Sequence, residues 1–125
     1  MSVERKNYIG LDDPVGPYMH AVKHGDVLYT SGMTAFGTAA QKQGVEAQTE
    51  EIFRQLAAIL NAENNGLEQL IKVTLFVTDL ALIGELRETL FSLYGENIPA
   101  SSVVEVSRLF SPDIKIEIEA IAALS

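Results

Sequence analysis

Two glutamates near the carboxyl end of the chain, Glu117 and Glu119, have the residue type and spacing that acid–base chemistry requires. Residues two apart in an extended strand lie on one face, with Cβ atoms roughly 6–7 Å apart. A carboxylate held in a dry cleft can have its pKa raised and can act on water as a general base or acid. The alternative is a solvated strand face opposite a row of isoleucines, and the alternating pattern alone favours that alternative.

The other candidate groups are weaker when judged from the residues alone. His20 and His24 are four residues apart, but they flank a predicted strand and turn, and a metal site needs three or more ligands. We therefore interpret them as exposed histidines and expect neither a metal nor a cofactor. A nucleophilic serine at Ser101 or Ser102 would need a histidine base that the pattern does not place. Tyr18, taken alone, is more typical of an anchor than of a ligand contact.

The helices and strands that the apolar spacing predicts must position these groups. Apolar residues recur at helical spacing in residues 45–64, where Ile52, Leu56 and Ile59 form one stripe, and in residues 82–94. Gly66 is expected to end the first helix. Strands joined by turns are predicted at residues 18–22, 26–31, 71–77, 102–106 and 114–120.

The order β-β-α-β-α-β-β predicts one α+β domain over residues 1–125, with two helices on one face of a mixed sheet. In the last strand, Ile114, Ile116 and Ile118 alternate with Lys115, Glu117 and Glu119, so the isoleucines are expected to face the helices. Helices on one face leave the other face uncovered. Self-association through that face is therefore expected.

Composition narrows the partners and the compartment. Seventeen acidic residues against nine basic ones give a net charge of −8, and no Lys/Arg cluster is present, so nucleic acid is disfavoured as a partner. The chain has no cysteine, no apolar run long enough to cross a membrane, and no apolar core of a signal peptide near its first residue. We expect a cytoplasmic protein that does not bind membranes.

Several segments resemble the reactive-intermediate deaminase (Rid/YjgF) family. They cover most of the chain in the family's order and spacing, and they are residues 14–18 (PVGPY), 28–32 (LYTSG), 72–80 (KVTLFVTDL), 99–106 (PASSVVEV) and 116–122 (IEIEAIA).

The resemblance implies a chorismate-mutase-like fold and a homotrimer with small-molecule clefts between subunits. Members of the family typically hydrolyse reactive enamines and imines to 2-oxo acids and ammonia. By the same resemblance, Tyr18 contacts the ligand, Gly32 offers a backbone amide, and Glu117 positions the attacking water. The resemblance thus favours a cleft position for Glu117 over the solvated face.

One departure from the family pattern bears on the substrate. Active members carry an arginine where this chain has Ser101, and that guanidinium holds the substrate carboxylate through two hydrogen bonds. Serine offers a neutral hydrogen bond, which contributes about 0.5–1.5 kcal/mol, whereas a charged hydrogen bond contributes roughly 1.5–3 kcal/mol. Affinity for the substrate carboxylate is therefore expected to fall about tenfold or more. Val103 replaces a frequent cysteine, whose backbone carbonyl is the contacting group. We hypothesise that Arg87 binds the carboxylate of the ligand in place of the missing arginine. The alternative is that Arg87 is a solvated residue on the helix surface between Glu85 and Glu88.

Three classes of function remain open. The first is a deaminase-type hydrolase of small enamines or imines, with a substrate range altered by Ser101. The second is a non-catalytic trimer that binds a small metabolite. The third, a ribonuclease, is disfavoured by the acidic charge. The retained Tyr18 and Glu117 favour the enzyme, whereas the missing arginine favours the binding protein, and of the two we expect the enzyme.

Overall fold

A six-stranded mixed sheet with two helices makes up the computed structural model, which describes residues 2–125. In chain order the elements are β1 (Val3–Lys6), β2 (Ala21–His24), β3 (Val27–Thr30), α1 (Val45–Ala62), β4 (Leu70–Val77), α2 (Ile83–Tyr94), β5 (Ala100–Glu105) and β6 (Ile116–Ala123). Across the sheet the strand order is β1-β2-β3-β6-β4-β5. The predicted α+β, chorismate-mutase-like fold is confirmed, and one further strand, β1, precedes the predicted order.

Strand directions follow from the connections. The loop of residues 7–20 joins β1 to β2 and a short turn joins β2 to β3, so the three strands form an antiparallel ribbon. Gly25 takes the positive φ of 61° that the turn between β2 and β3 requires. By contrast, α2 carries the chain from β4 to β5, so these two strands are parallel. The long strand β6 pairs with both β3 and β4 and forms the centre of the sheet.

The core lies between the helices and one face of the sheet. The alternation predicted for β6 is observed, because Ile116 and Ile118 are fully buried while Glu119 is exposed. Each helix contributes its predicted apolar stripe, with these fully or largely buried residues: Ile52, Phe53, Leu56, Ile59 and Leu60 of α1, and Leu86 and Leu90 of α2. Across residues 2–125, neither helix is both long and apolar enough to span a membrane.

The end of α1 differs in detail from the sequence expectation. Asn64, rather than Gly66, takes the left-handed conformation, with φ of 61°. Asn tolerates this conformation better than other residues that carry a Cβ, so it can end a helix in place of glycine. The amide of Asn65 then donates to the carbonyl oxygen of Leu60 at 2.8 Å, which satisfies one of the last helical carbonyls.

The additional strand β1 is attached by polar groups. The carboxylate of Glu63, just after α1, lies 3.0 Å from Nζ of Lys6 and 2.8 Å from Nζ of Lys23, and it accepts a hydrogen bond of 2.9 Å from the Tyr8 hydroxyl. Burial opposes ionisation of Glu63, but these hydrogen bonds outweigh it and lower the pKa of Glu63 to about 2. Since residues 3–6 have no apolar alternation, their strand depends on these distant partners.

Candidate functional site

A cavity of about 690 Å³ opens beside the end of β3, within the size range of small-molecule sites. Its walls come from the loop that precedes β2, the loop that follows β3, the middle of α1, and single residues of the carboxyl-terminal region. The polar or aromatic residues among them are Asp12, Asp13, Tyr18, His20, Ser31, Thr34, Phe36, Thr38, Arg54, Gln55, Phe110 and Glu117.

Glu117 enters this cavity because a short bridge joins the chain after β3 to β6. The amide of Met33 donates to the carbonyl oxygen of Ile118 at 2.8 Å, and the amide of Ile118 donates back at 3.0 Å. This pairing places Gly32 against the side chain of Glu117. A Cβ built on Gly32 would overlap the Glu117 carboxylate, so any larger residue at this position would displace the carboxylate from its observed place.

The Glu117 carboxylate is poised to accept a proton. It is partly buried, and none of the hydrogen bonds or ion pairs found among residues 2–125 involves it. Burial raises the pKa of Glu117, and the charge of Glu119 on the same strand raises it further. An unpaired carboxylate with a raised pKa is suited to general acid–base catalysis.

Tyr18 lines the cavity at the entry to β2. Its amide donates to the carbonyl oxygen of Gly16 at 2.9 Å, and its hydroxyl accepts a hydrogen bond of 3.3 Å from the amide of Val15. The tight turn holds the ring at the cavity wall, while 44% of the residue stays exposed to solvent. Tyr18, Gly32 and Glu117, which sequence resemblance grouped as site residues, therefore share one cavity.

The interpretation of His20 as an exposed histidine is wrong. His20 is buried, and its Nδ1 accepts a hydrogen bond of 2.9 Å from the amide of Tyr8. Its Nε2 lies 2.7 Å from the carbonyl oxygen of Asp12, so Nε2 carries the proton of a neutral ring. His20 thus fastens the loop that forms one cavity wall. His24 is exposed at the end of β2, and no group of three metal-ligating side chains occurs in the part of the chain that the structure describes.

The remaining predicted site residues, Ser101, Val103 and Arg87, do not line this cavity. Ser101 and Val103 lie on the exposed edge strand β5, where they pair with core residues of β4, whereas Glu117 pairs with Phe76 on the opposite face of the sheet. Arg87 is exposed on α2. Ser101 and Val103 can therefore join Glu117 in one site only if a second chain supplies them.

Sequence reasoning missed two features of the cavity. The rings of Phe36 and Phe110 meet edge to face, with centroids 4.7 Å apart, although the two residues are 39% and 66% exposed. Arg54 lines the cavity from the exposed face of α1. Large aromatic residues in predicted loops were the available signal for the first feature, whereas helical periodicity gives none for the second.

This chain is similar to known proteins over most of its length. The model of the family described as Endoribonuclease L-PSP matches residues 11–124. A RutC family protein of Pyrococcus horikoshii is 37% identical over 112 residues, which are 87% of this chain and 88% of that protein. A 2-iminobutanoate/2-iminopropanoate deaminase of Salmonella typhimurium is 37% identical over 113 residues, which are 86% of this chain and 88% of that protein.

Likeness of structure extends over almost the whole chain. The crystal structure of the YjgF gene product of E. coli superposes with a TM-score of 0.85 at 31% sequence identity, covering 96% of this chain and 98% of that one. Together with the matched family model and the sequence relatives, this establishes that the chain belongs to the reactive-intermediate deaminase (Rid/YjgF) family, whose model is described as Endoribonuclease L-PSP.

Proposed function

We propose that this protein hydrolyses small enamines and imines, releasing a carbonyl compound and ammonia. The observation that carries the proposal is the partly buried, unpaired carboxylate of Glu117, which shares a cavity with Tyr18 and Gly32. The name of the relative in Salmonella typhimurium, a deaminase of 2-imino acids, supports the same class of reaction.

The chemistry requires one water and one base. For a 2-imino acid in its iminium form, Glu117 accepts a proton from water while the water oxygen bonds to the iminium carbon. The resulting tetrahedral carbinolamine takes the proton on its nitrogen, the C–N bond breaks, and ammonia leaves as the C–O double bond forms. Glu117 accepts the hydroxyl proton as the C–O double bond forms and passes it to the departing ammonia. The products are therefore a 2-oxo acid and ammonium, and Glu117 is ionised again.

We further propose that the working site lies between subunits of a homotrimer. The face of the sheet opposite the helices is uncovered, and six-residue β5 is exposed along its whole length. A neighbouring chain's β5 would bring Ser101 and Val103 toward the cavity of Glu117. A buried edge strand would also remove the unpaired backbone groups that β5 now exposes.

The test is release of ammonia and 2-oxo acid from freshly generated 2-imino acids. We expect Glu117→Gln to lower kcat by about 10²-fold or more, because general-base catalysis typically contributes 10²–10⁴-fold. Glu50→Gln is the matched control, since it removes an exposed carboxylate of α1 that does not line the cavity. Full activity of Glu117→Gln would contradict the proposed role.

The second candidate function is metabolite binding without turnover, and Ser101 is the observation that favours it, because serine cannot supply a guanidinium. Ser101→Arg distinguishes the two functions. Activity of the unmodified chain supports the enzyme. Activity of Ser101→Arg alone means that the catalytic groups are intact and that the natural ligand differs. Inactivity of both proteins, together with a metabolite that raises the melting temperature, supports the binding function.

A further inference from the structure

The cavity contains a single permanent cation. Among the residues that line it, Arg54 is the only lysine or arginine, and His20 is neutral with both ring nitrogens engaged. The other charged groups on the wall are the carboxylates of Asp12, Asp13 and Glu117. An anionic group that enters this cavity therefore has one positively charged partner available from the same chain.

The guanidinium of Arg54, on a side chain that is 59% exposed, pairs with Glu51 through one edge and leaves the other edge open. Its Nε and Nη2 donate to the two carboxylate oxygens of Glu51 at 3.0 and 2.8 Å. Glu51 also accepts a hydrogen bond of 2.8 Å from Gln55, whose amide group donates to the carbonyl oxygen of Thr34 at 3.1 Å. No hydrogen bond found among residues 2–125 engages Nη1 of Arg54. The edge formed by Nη1 and Nη2 can therefore donate two hydrogen bonds to a second carboxylate.

We propose that Arg54 binds the carboxylate of the substrate in this chain. The inference rests on the proposed deaminase function and specifies its substrate class as 2-imino acids. Ser101 at the family's arginine position carries no charge, and Arg54 offers the same two-point hydrogen bonding from a different element, α1.

The surroundings of Arg54 set the size of the expected effect. Burial tends to raise the pKa of Glu51, but hydrogen bonds from Arg54 and Gln55 outweigh it and hold that pKa below its usual value, so Glu51 stays ionised beside the guanidinium. The hydrogen bond to Glu51 and the charge of that carboxylate raise the pKa of Arg54, and the charge of Asp12 adds to the effect. Because these carboxylates offset the positive charge, recognition depends on the directional hydrogen bonds of the open edge more than on net attraction.

The experiment separates recognition of the carboxylate from catalysis. We expect Arg54→Gln to raise KM for 2-iminobutanoate about tenfold or more with a smaller change in kcat, and Arg54→Lys to fall between the two proteins, because an ammonium cannot bind a carboxylate in two parallel bonds. Arg5→Gln is the matched control, since it removes an exposed arginine of β1 that does not line the cavity.

A binding measurement provides a readout independent of turnover. Calorimetry with 2-oxobutanoate and with its neutral amide, 2-oxobutanamide, gives the preference of each protein for the carboxylate. The unmodified chain is expected to prefer the acid, and Arg54→Gln is expected to lose that preference.

The outcomes distinguish the two levels of the proposal. An active Arg54→Gln protein with unchanged KM and unchanged preference for the acid overturns the role of Arg54 but leaves the deaminase function intact. The same is true if Arg87→Gln, rather than Arg54→Gln, removes the preference. An unmodified chain that releases no ammonia, yet prefers 2-oxobutanoate through Arg54, contradicts the deaminase function and supports the carboxylate site. If the unmodified chain has no preference for the acid, the carboxylate site is wrong.

Discussion

At the scale of single residues, Glu117 is held where ionisation is costly. Its carboxylate has lost part of its hydration, has no partner among residues 2–125, and lies near the charge of Glu119. These are the conditions of a general base, and they also lower the stability of the fold. Function and stability therefore make opposite demands on this residue.

The opposition predicts a stabilised Glu117→Gln protein. Because the pKa of Glu117 is higher in the folded chain than in the unfolded chain, the folded chain binds the proton more tightly. Protonation of Glu117 therefore leaves the fold at full stability below the ordinary glutamate pKa, and this stability is lost as pH rises through the folded-state pKa. The variant is therefore expected to have a higher melting temperature than the unmodified chain at pH 7, with the difference disappearing by about pH 4. Thermal unfolding across this range measures it, and a lower melting temperature of the variant at pH 7 would contradict the unpaired state of Glu117.

At the scale of elements, the cavity depends on segments that are joined by distant polar contacts. Glu63 follows α1, and its carboxylate joins Tyr8 and Lys23, which are 55 and 40 positions away in the sequence. His20 fastens the loop of Asp12 in the same way. These contacts, together with the buried ring of Tyr8, hold β1 and the cavity loop against the sheet.

This arrangement predicts an acid-dependent loss of stability. Because the pKa of Glu63 is lowered to about 2, its contribution is present above the ordinary glutamate pKa and is lost as pH falls toward 2. Glu63→Gln is expected to reduce the free energy of unfolding by on the order of 2 kcal/mol at pH 7 and by much less near pH 2. Denaturant titrations at both values measure this, with Glu50→Gln, an exposed carboxylate of α1, as the control. An equal loss at both pH values would contradict the ionic origin of the effect.

At the scale of the whole molecule, the proposed assembly depends on the open face of the sheet. Phe76 and Val104 are paired across β4 and β5 on the face that carries Glu117, and Val104 is 42% exposed. Apolar side chains on an uncovered sheet favour association with other copies of the chain. The same association would complete the cleft that a single chain leaves without Ser101.

The prediction is a trimer that a single charge disrupts. Val104→Lys is expected to shift the mass measured by light scattering from three chains toward one and to lower activity, because a lysine on the contact face must be desolvated. Phe91→Lys places the same charge on α2, where Phe91 is 63% exposed, and is expected to leave the mass unchanged. A trimer that persists in Val104→Lys would place the contact elsewhere.

The sequence by itself determined the parts of this protein that depend on local periodicity. The apolar stripes of α1 and α2 and the alternation of Ile116, Glu117 and Ile118 predict which side chains are buried, because each pattern matches the repeat of one element. Family segments of fixed spacing added the fold and the grouping of Tyr18, Gly32 and Glu117.

Only the tertiary structure decided the contacts between residues far apart in the chain. The burial of His20, the pairing of β1, and the entry of Arg54 and Phe110 into the cavity depend on loops and polar partners that have no repeating pattern. Periodicity determines the buried side of an element, but it does not specify which loop will cover the exposed side. Arg54 therefore has the pattern of a solvated helix residue, and only the folded chain shows that it lines the same cavity as Glu117.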